Sequence, residues 1–299
     1  MISVPSISVL TPSYNYSDYV TQTLKSVSAQ ADEAIEHVVV DDASTDQATN
    51  ELLEEMSRSL VFARHTINEG LSATLNHAAS LATGDWVGWL NTDDFYLPGA
   101  FSAVRRGIQQ NPAADVIYGD SVFVDTKSRL LRLAPEHRFS RGVLRRYGPF
   151  IAPCALFVRR SSLPQRGWEP GTLKLMDWDL YLQLHEDGAR FAHIARPLGA
   201  FRRHPAQASR SRTSVVEKRL VRERFDLPTH PRMIELIGGV GRLQHAAMKL
   251  LNGGYRRQHA AKAFIGHDMA WFDDLQAAAA VDDLLVACSS TEWKPAPSR

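Results

Sequence analysis

The sequence predicts an α/β fold, in which a mostly parallel sheet carries helices on both faces and a C-terminal helical segment follows. Two observations support this. Along the first hundred residues, short apolar runs alternate with segments of helical period, as in successive βαβ units. The chain has 299 residues, of which 44% are apolar, so it is long enough to bury the core of such a sheet.

The first half of the chain supplies its elements in regular alternation. In order, they are strand 7–11, helix 19–30, strand 36–40, helix 47–58, strand 60–64, helix 71–82 and strand 86–90. Another helix is predicted to open near Pro98, because proline is favoured in a first helical turn. This order predicts parallel strands covered on both faces.

Beyond residue 115 the pattern is mixed. Strands are predicted at 116–118, 121–124, 155–159 and 191–195, and helices at 140–147 and 178–186, the second closed by Gly188. From about residue 229, glycine-rich breaks, an alanine run and a Pro/Ser end indicate appended helices without an internal repeat.

Composition and charge narrow the class of protein. Residues 1–100 hold 3 Lys and Arg against 14 Asp and Glu, a net charge of −11, which leaves +12 for the rest of the chain. This asymmetry suits a metal cation bound in the first half and anions bound in the second. Solvated faces with an uneven distribution of charge would give the same asymmetry. Cys154 and Cys288 indicate neither a disulfide framework nor a zinc site. No leader or membrane-length apolar run is seen, so we expect a cytoplasmic protein, soluble or peripheral at the inner face of the membrane.

Polar residues follow three of the predicted strands directly. They are Thr-Pro-Ser-Tyr-Asn at 11–15, Asp-Asp-Ala-Ser-Thr-Asp at 41–46 and Asn-Thr-Asp-Asp at 91–94. Ligands of open parallel sheets bind beyond the carboxyl ends of the strands, so two carboxylate pairs are expected to converge at one sheet edge. Motifs for dehydrogenase, kinase and hydrolase chemistry are absent from the sequence.

The ordered succession of these motifs resembles family 2 inverting glycosyltransferases of bacterial surface polysaccharide synthesis, which have a GT-A-type, Rossmann-like fold. Asn-Glu-Gly-Leu-Ser at 68–72, and Gly-Asp-Trp at 84–86 ahead of the acidic segment, complete a resemblance that spans about residues 5 to 210. It implies that residues 1–115 form the nucleotide-sugar-binding half of one domain, 116–228 its acceptor-binding and catalytic-base half, and 229–299 a helical appendage.

The resemblance also implies roles for individual residues. Those expected around the nucleotide are Thr11, Pro12, Tyr14, Asn15, Asn68, Gly70, Asn76, Asp93 and Arg203, with either Asp41 or Asp42 recognising the base. Asp93, Asp94 and His204 are the expected metal ligands, although Asn91 stands where the family's acidic motif usually begins. Asp177 matches the family's catalytic base, Asp179 is the second candidate, and methionine at 176 replaces the usual glutamate. The segment from Arg202 to Ser209 resembles one that closes near the diphosphate.

The chemistry explains why such residues are needed. A departing nucleoside diphosphate develops negative charge that Mn²⁺ or Mg²⁺ offsets, and both cations prefer oxygen ligands such as Asp93 and Asp94. An inverting transfer needs one base, here Asp177, to take the acceptor hydroxyl proton. The alternatives are structural: an Asx turn at the acidic pair, a turn at Asp41 and Asp42, and an N-cap at Asp177.

Other residues carry weaker expectations. Trp86 and Trp89 lie in an apolar strand and are expected in the core, whereas Trp168 is the better candidate for an acceptor contact. Arginines at 141–160 suit an anionic acceptor or membrane headgroups, although a solvated basic face is the commoner explanation.

We therefore expect an enzyme that moves a sugar from a UDP- or dTDP-sugar to a hydroxyl of a carbohydrate or lipid-linked acceptor. No nucleic-acid partner is expected. Two alternatives remain open: a catalytically degenerate module that binds a sugar nucleotide, suggested by Asn91 and Met176, and a sugar-nucleotide pyrophosphorylase.

Overall fold

The structure, a computed structural model, describes residues 4–289 apart from 31, 33, 172–173, 206, 208–213 and 273. The strands are β1 (Ile7–Ser13), β2 (Ile35–Asp41), β3 (Val61–Arg64), β4 (Trp86–Trp89), β5 (Phe95–Tyr96), β6 (Val116–Val124), β7 (Leu130–Ala134), β8 (Leu156–Arg159) and β9 (Phe191–Arg202). The helices are α1 (Ser17–Ser28), α2 (Gln47–Met56), α3 (Leu71–Leu81), α4 (Ala100–Gln110), α5 (Arg141–Arg146), α6 (Met176–Glu186), α7 (Ser214–Arg224), α8 (Pro231–Leu251), α9 (Gly254–Ala260) and α10 (Leu275–Ser289). Ser209 lies outside the described residues.

The strands form one sheet in the order β3-β2-β1-β4-β8-β6-β9-β5, with β7 paired to β6. The first four strands in this order are parallel, as the alternating sequence predicts. Beyond β4 the sheet is mixed: β8 is antiparallel to both neighbours, and β9 runs parallel to β6. The carboxyl ends of β1, β2 and β4 therefore lie at the same edge of the sheet, where their following loops meet.

Both faces of the sheet are buried. One core cluster joins Leu10 and Val38 to side chains of α3, α5 and α6, and the other joins Ile7 and Val9 to side chains of α1 and α4. Trp86 and Trp89 are both buried, as predicted. This burial on both sides fixes the register of β1 and β4, and with it the positions at which their loops begin.

The C-terminal helices also pack on the sheet. A third core cluster joins β5, β6 and β9 to Val281, Leu284 and Leu285 of α10. Among the described residues, no helix combines the length and apolar character needed to cross a membrane.

Candidate active site

A cavity of about 450 Å³ opens at the carboxyl edge of the parallel strands. Its walls come from the loops after β1, β2 and β4, from the start of α3, and from the segment that enters α6. A larger cavity of about 610 Å³, lined by Asp115, Ser162 and Gly188, lies at the amino ends of β6 and β9 and gathers none of the predicted site residues. The smaller cavity is therefore the candidate site.

Asp42 follows β2 and lines the cavity. Its carboxylate accepts hydrogen bonds of 2.8 Å from the backbone N–H groups of Glu69 and Gly70 and from Nδ1 of His65. Burial opposes ionisation, but these donors outweigh it and hold the pKa of Asp42 below its ordinary value. Asp42 thus presents a fixed negative charge and ties the loop before α3 to the end of β2.

Asp41 is directed elsewhere. It is completely buried, its carboxylate accepts hydrogen bonds from Ser44, and it forms an ion pair of 2.9 Å with Nε of Arg64. Asn15 also serves the loops, because its Oδ1 accepts from the backbone N–H groups of Thr45 at 2.8 Å and Asp46 at 3.0 Å. Neither residue lines the cavity. Asn15 fastens the loop after β1 to the loop after β2, and Asp41 ties the loop after β2 to β3.

Of the residues expected around the nucleotide in or just after β1, some line the cavity and others do not. Thr11 is buried within the strand, where its hydroxyl is hydrogen-bonded to Nε2 of His37 at 2.9 Å. Pro12 and Tyr14 line the cavity, and Tyr14 leaves 41% of its surface exposed. An exposed aromatic ring beside an anionic carboxylate is suited to packing against a nucleotide base.

Two of the three residues expected around α3 line the cavity. Asn68 and Gly70 lie at its wall, and Gly70 adopts φ +87°, a conformation that side chains rarely tolerate, which lets its N–H reach Asp42. Asn76 lies six residues after Gly70 and instead exchanges two hydrogen bonds of 2.9 Å with the backbone of Trp168. Trp168 is buried against Trp89, which corrects the expectation that its ring is available to an acceptor.

Asp93 is the acidic residue after β4 that lines the cavity. Its side chain is 15% exposed, and its Oδ2 lies 2.9 Å from Nε2 of the buried His204. Asn91 also lines the cavity, but its Oδ1 accepts a hydrogen bond of 2.7 Å from the indole N–H of Trp89. The indole N–H of Trp89 therefore needs an amide or carboxylate oxygen at position 91, and Asn91 supplies one.

Asp94 is buried beneath the loop and does not line the cavity. Its Oδ1 accepts a hydrogen bond of 2.9 Å from the backbone N–H of Arg202, and its Oδ2 has no hydrogen-bond partner in the described part of the chain. Burial, followed by the neighbouring charge of Asp93, raises the pKa of Asp94 well above its ordinary value. The acidic pair thus separates into one carboxylate that faces the cavity and one that is held in the core.

Arg202 holds the loop after β4 in place. The guanidinium donates to the backbone oxygen of Asp93 at 2.8 Å and to Oε1 of Gln22 at 2.6 Å, and it lies over the ring of Tyr19. Arg203, the expected diphosphate ligand, is exposed and packs over Phe123, outside the cavity lining. Arg202 therefore orients Asp93 without itself lining the cavity.

The start of α6 supplies the third carboxylate. Asp177 lines the cavity, and its Oδ1 accepts a hydrogen bond of 2.7 Å from the backbone N–H of Trp178. Burial raises the pKa of Asp177 from 3.8 to about 7, with backbone hydrogen bonds opposing the shift. Asp179 is buried on another face of the helix, where it pairs with Arg224 and accepts from Gln183.

Several polar residues that line the cavity were not among the predicted site residues. They include Tyr16, Lys174 and Gln207. Burial and then Asp93 raise the pKa of Tyr16 to about 12, so it stays a neutral hydroxyl beside the acidic loop. Gln207 is buried, and no other described residue forms a hydrogen bond with its Oε1. Position in the loop after β1 was a usable signal for Tyr16, and position between Arg202 and Ser209 was one for Gln207, whereas Lys174 stands outside every quoted motif.

The residues at Asp93 fit a divalent cation. Two ligands at right angles, each about 2.1 Å from a metal, lie about 3.0 Å apart, close to the 2.9 Å between Asp93 Oδ2 and His204 Nε2. A carboxylate and an imidazole leave further positions for phosphate oxygens and water, which suits Mn²⁺ or Mg²⁺. Asp94 supplies no ligand atom to the cavity lining.

Comparison with known proteins places the chain in a family. The model of Glycosyl transferase family 2 matches residues 8–167. The succinoglycan biosynthesis protein ExoU of Rhizobium meliloti (strain 1021) is 29% identical over 210 residues, which cover 63% of this chain and 59% of ExoU. The PGL/p-HBAD biosynthesis glycosyltransferase of Mycobacterium bovis (strain BCG / Pasteur 1173P2) is 27% identical over 203 residues, covering 64% and 76%. An uncharacterized glycosyltransferase of Rickettsia felis is 26% identical over 191 residues. The matched region spans only 32% of that relative's length.

Among solved structures, S. aureus TarS 1-349 in complex with UDP matches with a TM-score of 0.59 and 19% identity, covering 94% of this chain and 90% of TarS. This likeness confirms the expected GT-A-type fold. The family match covers more than half of the chain and includes the loops that carry Asp42 and Asp93. The chain accordingly belongs to glycosyl transferase family 2.

Proposed function

We propose that this chain is an inverting glycosyltransferase that moves one sugar from a UDP- or dTDP-sugar to a hydroxyl of a carbohydrate or lipid-linked acceptor. One observation carries the proposal: Asp42, Asp93 and Asp177, which come from three distant segments, line a single cavity of about 450 Å³. A base-recognising anion, a cation ligand and a proton acceptor are the three groups that such a reaction requires.

The nucleotide end is assigned to the loops after β1 and β2. Asp42 supplies a carboxylate whose ionised state is stabilised by three donors, and it can accept a hydrogen bond from the imide N–H of uracil or thymine. The exposed ring of Tyr14 packs against the base. A solved structure of TarS holds UDP and another holds UDP-GlcNAc, which supports a donor of this class.

The diphosphate end is assigned to the loop after β4. Asp93 and His204 would hold Mn²⁺ or Mg²⁺, which when bound offsets the charge that develops on the departing diphosphate. Arg202 fixes this loop through the backbone oxygen of Asp93, so the ligand carboxylate is positioned before the donor binds.

Transfer itself is assigned to Asp177. The carboxylate takes the proton of the acceptor hydroxyl while the acceptor oxygen forms a bond to the anomeric carbon from the face opposite the diphosphate. The bond from that carbon to the phosphate oxygen breaks, and its electron pair leaves with the nucleotide, so the anomeric configuration inverts. A pKa of about 7 makes Asp177 a stronger base than an ordinary aspartate.

Surface polysaccharide synthesis is the proposed setting, supported by relatives named for succinoglycan and PGL/p-HBAD biosynthesis. A lipid-linked acceptor would place the enzyme at the inner face of the membrane. Helix α8 offers a matching surface, because Met233, Leu236, Val240 and Leu243 are exposed on one face. Arg232 and Arg242 flank this stripe, as expected for a contact with anionic headgroups.

The proposed function is tested by screening UDP-, dTDP- and GDP-sugars for Mn²⁺-dependent release of nucleoside diphosphate. Asp93→Asn is expected to lose metal-dependent turnover, and Asp177→Asn to lose turnover while still binding the donor. Tight metal-dependent binding without turnover by any acceptor would favour the degenerate module, and consumption of a nucleoside triphosphate would favour the pyrophosphorylase. Absence of binding to every sugar nucleotide would refute the assignment.

A further inference from the structure

A second cluster of metal-ligating side chains lies outside the lining of the cavity, between the sheet and helix α8. Glu136 and His137 belong to the segment between β7 and α5, and His245 lies on α8. One ligand atom from each residue lies within 4.8 Å of the others. Among the described residues this is the only group of three histidine, cysteine or acidic side chains with that spacing.

The histidines are oriented for a shared ligand. Nδ1 of His137 lies 2.6 Å from the backbone oxygen of Arg138, which can only accept, so that nitrogen carries the proton. The lone pair of His137 therefore lies on Nε2, which is directed at Nδ1 of His245 at 2.9 Å. Stacking of His137 on Phe150 and of His245 on Tyr147 fixes both rings. A backbone acceptor behind a ligating histidine is a usual feature of metal sites.

The carboxylate of Glu136 provides independent evidence for a bound ligand. Glu136 is 5% exposed, and its Oε2 is buried without a hydrogen-bond partner among the residues that the structure describes. Its backbone N–H donates to Asp120 at 2.8 Å, which fixes the residue in place. A buried, unpartnered carboxylate oxygen is costly, and a bound cation would satisfy it.

We infer that Glu136, His137 and His245 form a site for Zn²⁺ or a similar transition metal, and that this site fastens helix α8 to the catalytic domain. Two imidazoles and one carboxylate favour a transition metal over Mg²⁺. Tetrahedral ligands of zinc lie roughly 3.3 Å apart, so the two ring nitrogens need to separate by only a few tenths of an ångström. His245 is only partly buried, which leaves a route for the ion and room for water as a fourth ligand.

Lys249 is the competing cation. Its Nζ lies 3.8 Å from Oε1 of Glu136, on the other oxygen of the same carboxylate. If the cluster is only an ion-pair network, Lys249 stabilises it; if the cluster binds metal, Lys249 repels the ion. Lys249→Met therefore separates the two cases, because it is expected to tighten metal binding severalfold at a metal site.

The test is a titration of chelator-treated protein with Co²⁺ and Zn²⁺ alone, without sugar nucleotide. One Co²⁺ per chain with the visible absorption of a tetrahedral site is expected. His245→Gln should weaken binding by about tenfold or more and abolish that absorption, whereas His259→Ala, an exposed histidine on α9, should not. The absorption should persist in Asp93→Asn, which separates this site from the donor cavity.

Three results would overturn the inference: no Co²⁺ absorption in the wild-type protein, the same absorption in His245→Gln, or unchanged or weaker binding in Lys249→Met. Circular dichroism of each variant checks that it is folded. Because the readout contains neither donor nor acceptor, a failure here leaves the proposed transfer reaction unaffected, and a failure of turnover leaves this site unaffected.

Discussion

The base assigned to Asp177 predicts a specific dependence of turnover on pH. With a pKa of about 7, the ionised fraction of this carboxylate rises from about one tenth at pH 6 to about nine tenths at pH 8. The rate constant kcat/KM should therefore rise about tenfold between these values and level off above pH 8. An aspartate with its ordinary pKa near 3.8 would give a flat profile over this range.

The assay is initial-rate release of nucleoside diphosphate from the donor found by the screen, at saturating Mn²⁺ and between pH 5.5 and 8.5. Asp177→Asn should lower the rate by roughly 10²–10⁴-fold, which is the usual contribution of a positioned base. The residual rate should no longer depend on pH in this range. A flat wild-type profile, or an Asp177→Asn protein of nearly full activity, would refute the assignment.

Stability provides a check that needs no substrate. In the folded state the pKa of Asp177 is raised from 3.8 to about 7, so the folded protein binds more protons than the unfolded chain between these values. The contribution of this group to stability is therefore lost as pH rises from about 4 to about 7, and it stays lost above that. Asp177→Asn should raise Tm relative to the wild type at pH 8 and leave it unchanged at pH 4, whereas an equal effect at both values would contradict the raised pKa.

Three further predictions concern residues that the structure divides between the cavity and the core. Asp93→Asn should remove the Mn²⁺ dependence of turnover with little change in Tm. Asp94→Asn should keep measurable Mn²⁺-dependent turnover, because its amide oxygen can still accept from the backbone N–H of Arg202. Equal loss of turnover in both variants would contradict the different roles of the two acids. Asp179→Ala should lower the free energy of unfolding by about 1–3 kcal/mol in urea, because Arg224 and Gln183 lose the buried carboxylate to which they donate. Arg224 is 25% exposed and keeps Glu169 at 3.8 Å, which limits the loss, and an unchanged unfolding midpoint would contradict this. Tyr14→Ala should weaken binding of the free nucleoside diphosphate by about 1–3 kcal/mol in calorimetry, and unchanged affinity would exclude a base contact.

Much of the fold was predictable because its strands are apolar and its helices amphipathic. The strands at 7–11 and 86–90 were found within two residues, and β6 joins two stretches predicted separately. Two strands were missed. β5 has only two residues, too few for any periodicity, and β7 carries Leu131 and Arg132 outward together, which breaks the alternation that marks a strand.

The candidate site was predictable to the level of the loop but not of the side chain. Position after a strand was enough to single out the acidic segments that contain Asp42 and Asp93. It could not separate either residue from its neighbour, because adjacent residues at a strand end point in different directions, and long-range partners select between them. His65 and Arg202, which make that selection, stand 23 and 108 residues away from the acids they contact.

The acids of the site come in three pairs, at 41/42, 93/94 and 177/179. In each pair the acid that does not line the cavity contacts an arginine residue, so only one carboxylate of each pair faces the cavity. Asp41 pairs with Arg64, Asp94 accepts from the backbone of Arg202, and Asp179 pairs with Arg224. Arg202 and Arg224 come from the basic second half of the chain, and the guanidinium of Arg224 pairs with a buried acid beneath the site rather than binding substrate. The cavity-facing acids have histidine or backbone partners instead, which orient a carboxylate without cancelling its charge. Three acids and one lysine, Lys174, therefore line the cavity, and the proposed divalent metal would balance the remaining negative charge together with the phosphate groups of the donor.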